Sequence, residues 1–218
     1  MKPTDILGNI KLYNADCMEL LKQTPDNYYS LALVDPPYGI DVASMNMGAG
    51  KSKKSSNIKN RKWKKKNWDN NTPSVDYFNE LFRVSKNQMI WGGNYFEMPA
   101  CKHYIIWDKQ IPEGLSFSDC EYCWTSFDKA NRMFRYSAYL DKRGKIHPSQ
   151  KPVQLYKWLL QNYAKDGDLI LDTHFGSLSI GIACHDMKFD LTAIELDANY
   201  YEQAKERLRI HQRQLQLF

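Results

Sequence analysis

The feature that most constrains this chain is an apolar run, Leu31-Ala32-Leu33-Val34, that stops abruptly on Asp35-Pro36-Pro37-Tyr38. The run is short and does not alternate with polar residues, which predicts a strand buried on both faces, as in a parallel sheet covered by helices. The acid then stands at the strand's carboxyl end, where open α/β sheets gather their ligands. Two consecutive prolines lock the turn and leave the Pro36 carbonyl without a regular ladder role. A carboxylate, a carbonyl and an aromatic ring thus share one rigid loop, a site able to hold an amino group of a flat ring. The same four residues also make an ordinary strand end, so the functional reading needs support from elsewhere in the chain.

That support lies downstream. Leu169-Ile170-Leu171-Asp172 is another apolar run ending in an acid, followed by Gly176-Ser177, a helical stretch at Ile180–Cys184, and Phe189–Ile194 ending at Glu195. Strand, tight turn, helix, strand and acid is the layout of a nucleotide-binding βαβ unit, the acid serving ribose hydroxyls. The glycines match neither the dinucleotide fingerprint nor the P-loop, since Leu178 interrupts the first and Ile182-Ala183 replace the Lys and Ser/Thr of the second. A nucleoside without a phosphate chain fits better than a nucleoside triphosphate. Between the two runs, His147-Pro148-Ser149-Gln150-Lys151-Pro152 leads into the amphipathic Val153–Leu160, with Pro152 expected at the first helical position. Asp16, in Tyr13-Asn14-Ala15-Asp16-Cys17, closes a short strand; with Glu19 it also forms a capping-box pattern.

Taken in order, Asp35–Tyr38, His147–Pro152, Asp172–Ser177 and Glu195 resemble the amino-methyltransferases of DNA, in the permuted (beta) class whose catalytic motif precedes the cofactor motif. Trp68-Asp69, Trp91-Gly92-Gly93-Asn94-Tyr95 and Trp107-Asp108-Lys109 extend the similarity to short phage and prophage adenine N6-methyltransferases. The resemblance covers most of the chain, with residues 41–67 the least matched. It implies an α/β, Rossmann-like S-adenosylmethionine-dependent methyltransferase sheet with circularly permuted motif order, acting on an amino group of double-stranded DNA.

Carried over by position, Asp35 and the Pro36 carbonyl accept hydrogen bonds from the target amine, Pro37 rigidifies the loop, and Tyr38 stacks on the extruded base. Asp172, Gly176 and Ser177 border the methionine end of the cofactor, and Glu195 binds its ribose. Gln150 and Lys151 help hold its carboxylate, and Asp16 is a candidate for its adenine. One departure stands out: the family usually has a second glycine where this chain has Leu178. That side chain either narrows the cofactor pocket or points into the core.

The chemistry suits these residues. An exocyclic amine conjugated with its ring is a poor nucleophile, and two acceptors on its hydrogens favour a pyramidal nitrogen and stabilise the charge that develops during attack. Methylation at cytosine carbon needs a thiol nucleophile, and none of the five cysteines follows a proline as that mechanism's usual motif requires. The aspartate at position 35 favours adenine N6; cytosine N4, whose enzymes more often carry Ser there, is the alternative. From another class, a cofactor-impaired nucleic-acid-binding protein would keep the basic segment while Leu178 closes the pocket.

The net charge of +5 is unevenly placed: residues 51–66 contain nine Lys/Arg and no acid, which leaves the remainder of the chain net acidic. Lys59, Arg61, Lys62, Lys64, Lys65 and Lys66 are expected to contact phosphate from a flexible loop over 41–67. An odd cysteine count, a polar amino terminus and the absence of any long apolar stretch point to a cytoplasmic protein with no membrane span. No cysteine or histidine spacing suggests a metal; Cys120 and Cys123 read as structural.

At 218 residues the chain reads as one domain, with target recognition placed in an insertion at about 109–146. Strands are expected at Ile10–Tyr13, Leu31–Val34, Gln88–Trp91 and His103–Trp107, with more around Tyr122–Trp124 and Met133–Tyr136. Helices are expected at Cys17–Gln23, from Thr72-Pro73 to about Val84, and at about Ala198–Gln212, the last able to pack or to pair protomers in a homodimer.

Overall fold

Residues 1–41, 69–111, 118–137, 140 and 144–215 are described in the computed structural model of the chain. In chain order they form β1 (Asp5–Leu7), β2 (Ile10–Tyr13), α1 (Cys17–Leu21), β3 (Tyr29–Val34), α2 (Val75–Val84), β4 (Ser85–Trp91) and a 3₁₀ turn at Gly93–Tyr95. There follow β5 (His103–Asp108), β6 (Cys120–Thr125), β7 (Arg132–Arg135), α3 (Val153–Tyr163), β8 (Leu169–Asp172), α4 (Ser179–Met187), β9 (Asp190–Ile194) and α5 (Ala198–Leu215).

The strands make one sheet in the order β1-β2-β9-β8-β3-β4-β6-β5-β7. From β2 to β4 all neighbours run parallel, with β3 paired to β8 through Leu31↔Ile170 and Ala32↔Leu171. Strand β6 then enters antiparallel between β4 and β5. This restores β5 and its parallel partner β7 to the direction of β3 and β4. The carboxyl ends of β3, β8, β9, β4, β5 and β7 therefore lie along one edge.

The apolar runs exist because their strands are covered on both faces. Leu31 and Leu33 of β3 join the cluster under α3, α4 and α5, while Ala32 and Val34 join the one under α1 and α2. Ile170 and Leu171 of β8 divide in the same way. Each fully buried Leu or Ile removes apolar surface worth about 1.5–3 kcal/mol, so a one-residue slip of β3 would be strongly resisted. Helix α2 buries Tyr77, Phe78, Leu81 and Val84, a helical stripe facing the sheet.

Several boundaries differ from the sequence-based expectation. Helix α2 begins at Val75, because Ser74 rather than Thr72 supplies the capping oxygen to Tyr77 N. Pro152 is the cap residue of α3, not its first helical residue; its ψ of 143° is extended. Helix α1 stops at Leu21, two residues short of Gln23. The strand expected at Met133–Tyr136 runs from Arg132 to Arg135, and β1 was not anticipated at all. The expected loop 41–67, with Lys59, Arg61, Lys62, Lys64, Lys65 and Lys66, lies outside the described residues apart from Asp41. All five cysteines are free thiols. Among the described residues no helix is long and apolar enough to cross a membrane.

Candidate active site

Asp35 leaves the end of β3, and the chain turns back so that Tyr38 Oη donates to Asp35 Oδ1 at 2.6 Å. The turn is pinned from below by Asp69, 2% exposed, whose Oδ1 accepts from Tyr38 N at 2.7 Å and Gly39 N at 3.0 Å. Asp69 thus supplies the anchor that the prolines cannot, having no N–H of their own.

The aromatic ring is set by the glycines after β4. Gly92 has φ +71°, and a Cβ there would lie 2.2 Å from the Tyr38 ring. A Cβ on Gly93 would lie 2.5 Å from Trp124 Cβ. Only glycines let this turn approach both aromatics. Beyond it, Tyr95 stacks on Tyr38 with ring centroids 4.9 Å apart and planes 12° from parallel. Tyr95 is half exposed.

Lys151, just before α3, carries its ammonium to Asp35 Oδ2 at 2.5 Å and Glu121 Oε2 at 3.1 Å. Its side chain is 2% exposed. Glu121, on β6, is held from the other side by Lys109 at 2.9 Å. Four charges therefore alternate in sign from Asp35 to Lys109. Burial pushes the Asp35 carboxyl up, partly offset by Lys151, while Glu121 adds to the rise. Burial also opposes the charge on Glu121, but Lys151 and Lys109 outweigh it and bring that carboxyl down to about 2. For Lys151, the two acids outweigh desolvation and keep the ammonium protonated.

A second group gathers at β8 and β9. Asp172, 2% exposed, accepts from His174 N at 3.0 Å, and burial pushes its carboxyl up to about 8. Burial brings the His174 imidazole down to about 4. Glu195, following β9, accepts from Gly176 N at 3.0 Å and Asp197 N at 2.9 Å, so it fixes the 173–178 loop. Gly176 has φ +48° and lies under the His147 ring, which a Cβ would meet at 3.4 Å. Gln150 Oε1 accepts from Ile146 N at 3.0 Å, and Ser177 Oγ lies 3.2 Å from Ser179 Oγ.

Leu178 adopts a left-handed backbone, φ 56°, and is fully buried. Its side chain points at Gly181, where a Cβ would come within 2.6 Å of Leu178 Cγ. The leucine therefore fills the core beneath α4. Asp16 is exposed and caps α1, its Oδ1 accepting from Met18 N at 2.9 Å; Glu19 meets it only through the backbone, so the reciprocal half of the capping box is missing.

The sequence reading missed Glu121 and the roles of Asp69 and Gly92. Glu121 carries a faint signal, an acid inside an otherwise uncharged strand between two cysteines. Asp69 enters the sequence only as part of Trp68-Asp69, and its role is hidden until the fold brings it under residue 38.

The family described as DNA methylase, of the N6/N4 methyltransferase kind, matches residues 44–206. That match covers most of the chain and begins after Tyr38. The type II methyltransferase M.HpaI of Haemophilus parainfluenzae is 35% identical over 75 residues, which is 34% of this chain and 24% of that protein. The chain spans less than half the length of the curated relatives it matches. The crystal structure of an M1.HpyAVI–SAM complex is similar with TM-score 0.59 at 18% identity, over 91% of this chain and 99% of the other. PvuII DNA methyltransferase, cytosine-N4-specific, is similar with TM-score 0.61 at 14% identity, over 96% and 93%. These likenesses establish the methyltransferase fold.

Proposed function

The chain belongs to the N6/N4 DNA methylase family, and from that premise we propose that it methylates the exocyclic N6 amino group of adenine in double-stranded DNA, with S-adenosylmethionine as donor. The observation that carries this reading is the Asp35 carboxylate, fixed at the end of β3 by Tyr38 and Lys151. Asp35 and the Pro36 carbonyl accept hydrogen bonds from the target amine, so the site is organised for the transition state before the base arrives.

The base must leave the duplex to reach Asp35, at a cost of a few kcal/mol. Tyr38 offsets about 1–3 kcal/mol of that by stacking. The half-exposed Tyr95 ring, parallel to Tyr38, holds the place that such a base would take.

The residues of the second group fit the donor. Asp172 is a buried carboxyl with no ion pair among the described residues, suited to a cation. Gly176 keeps backbone close to the His147 ring, and Glu195, an acid at the carboxyl end of β9, offers the acceptor chemistry that ribose hydroxyls need. When bound, S-adenosylmethionine supplies an activated methyl group on a sulfonium. Asp172, Gly176 and Ser177 border its methionine end, Gln150 faces its carboxylate, Glu195 takes its ribose, and Asp16, exposed at the end of α1, remains the candidate for its adenine. Lys151 is assigned to Asp35 instead of the donor's carboxylate, because its ammonium is already engaged by two acids. Leu178, turned into the core, removes the reason for an impaired pocket.

The whole chain is read as one domain in which Asp35 precedes the donor-binding loop, as in the permuted class. Residues 109–146 share target recognition with the basic segment, whose Lys59, Arg61, Lys62, Lys64, Lys65 and Lys66 contact phosphate.

Nucleoside mass spectrometry of unmethylated DNA, after incubation with the protein and S-adenosylmethionine, tests this. N6-methyladenine that disappears with Asp35→Ala is the expected result. N4-methylcytosine would reassign the base, and no mark on any of several DNAs would refute the activity.

A further inference from the structure

The Lys151 ammonium does what a bound amino group would do: it donates to Asp35 Oδ2 at 2.5 Å and lies 3.3 Å from Tyr38 Oη. It is therefore a nitrogen donor already seated at the acceptor that the proposed reaction needs for the target amine. A group in that position must move or share before an adenine amine can bind, and Asp35 Oδ1 is already taken by Tyr38.

The surroundings provide somewhere for the ammonium to go. Glu121 Oε2 lies 3.1 Å from Lys151 Nζ, and its other oxygen is held at 2.9 Å by Lys109. The Trp91 ring, with its centroid 5.2 Å from the ammonium, adds a π face on the same side chain's path. Glu121 is also the more strongly ionised of the two acids, while Asp35 is pushed up by burial. A cation shared between two carboxylates needs only a small displacement to lean wholly on one of them, keeping its pair with Glu121 while amine N–H groups take its place at Asp35.

We infer that Lys151 is the resident occupant of the amine seat on Asp35, and that Glu121 is a positioning residue whose carboxylate receives the ammonium when the target amine enters. This rests on the methyl-transfer reading given above. In the substrate-free protein Lys151 opposes the effect of burial on Asp35 and occupies its Oδ2 against an adventitious donor. On base entry, the amine replaces it on Asp35 Oδ2, and the Glu121–Lys109 pair holds the displaced charge. No bond is made or broken in this exchange; one hydrogen-bond donor replaces another.

Glu121→Gln tests the assignment, with Glu121→Asp as the charge-preserving partner variant. Steady-state methylation should show the KM for DNA raised about tenfold in Glu121→Gln, with kcat and the KM for S-adenosylmethionine close to wild type. Glu121→Asp should restore the DNA KM. A kcat loss with unchanged DNA KM, or equal losses for both substrates, would overturn the proposal.

A second readout does not depend on activity. Carbon-13 titration of the Asp35 carboxyl in the free protein should move to lower pH in Glu121→Gln, because the ammonium then belongs to Asp35 alone. Tyr38, Lys109, Tyr156, Cys123 and Asp172 also face this group and are unchanged between the two proteins. An Asp35 titration identical in the two proteins would refute shared pairing. Absence of methylation by the wild-type protein would refute the methyl-transfer reading instead, leaving the titration to decide the seat.

Discussion

Gly92→Ala, set against Gly167→Ala, isolates what close approach contributes to the site. Both glycines have left-handed φ, +71° and +84°. An alanine at either position meets backbone strain of about 1–2 kcal/mol, less about 0.4–1 kcal/mol regained by restricting the unfolded chain. At Gly167 nothing lies within 4 Å of the added carbon, so the expected loss is about 1 kcal/mol. At Gly92 the carbon would lie 2.2 Å from the Tyr38 ring, which must therefore move.

Moving the ring breaks its stack on Tyr95, worth about 0.5–1.5 kcal/mol. It also breaks the hydrogen bond to the Asp35 carboxylate, worth about 1.5–3 kcal/mol for a charged partner. Gly92→Ala should then cost about 3–5 kcal/mol in all. Urea unfolding with matched m-values measures both variants. Gly92→Ala should also lose methyl transfer, while Gly167→Ala keeps it. Equal destabilisation by the two substitutions would refute the claim that Gly92 exists to admit Tyr38.

Leu178→Gly would relieve strain of about 1–2 kcal/mol but empty a fully buried site worth about 2–5 kcal/mol. The net result expected in a urea melt is a loss, with S-adenosylmethionine affinity by calorimetry unchanged; tighter binding would mean that the leucine obstructs the pocket. Asp172→Asn tests the raised carboxyl by unfolding from pH 4 to 9. The folded protein holds that proton up to about pH 8 whereas an unfolded aspartate releases it near 3.8, so wild-type stability from this group is full below the lower value and is lost as pH rises through the upper one. The asparagine variant should therefore gain on wild type toward pH 8 and lose that advantage toward pH 4; a difference constant with pH would refute the buried, unpaired carboxyl.

The strands carrying Asp35 and Asp172 were legible because burial on both faces writes an unbroken apolar run into the sequence, and an acid after such a run marks its end. Helix α2 was legible in its stripe but not in its start, since Ser74 and Thr72 are equally good caps on paper and only packing chooses between them. The short β1 was hidden because three residues at a sheet edge show no period. The glycines at 92 and 93 read as a turn; that each makes room for a particular aromatic depends on residues 38 and 124, far away in the chain. Glu121 and the role of Asp69 escaped for the same reason, because a partner's charge or an unfilled N–H becomes visible only when tertiary structure delivers it. For Leu178 the sequence left two directions open, and the left-handed backbone of the loop decides between them.

The two acids at the ends of adjacent strands β3 and β8 meet opposite treatment, and the difference divides their work. Both are buried at the same sheet edge, so desolvation opposes the charge on each. Asp35 is compensated by an ammonium and a phenol, which hold it as an oriented acceptor at the cost of keeping Lys151 buried with it. Among the described residues Asp172 receives only a backbone N–H, and burial raises its carboxyl so that it retains a proton to about pH 8. An acceptor of amine hydrogens has to be charged before its substrate comes, because preorganisation is what lowers the barrier. A group that meets a cationic ligand need not be charged in advance; it can release its proton as the cation arrives and so avoid an unpaired buried charge meanwhile. Compensation at one acid and neutrality at its neighbour are thus two solutions to the same desolvation problem, each matched to the partner proposed for it.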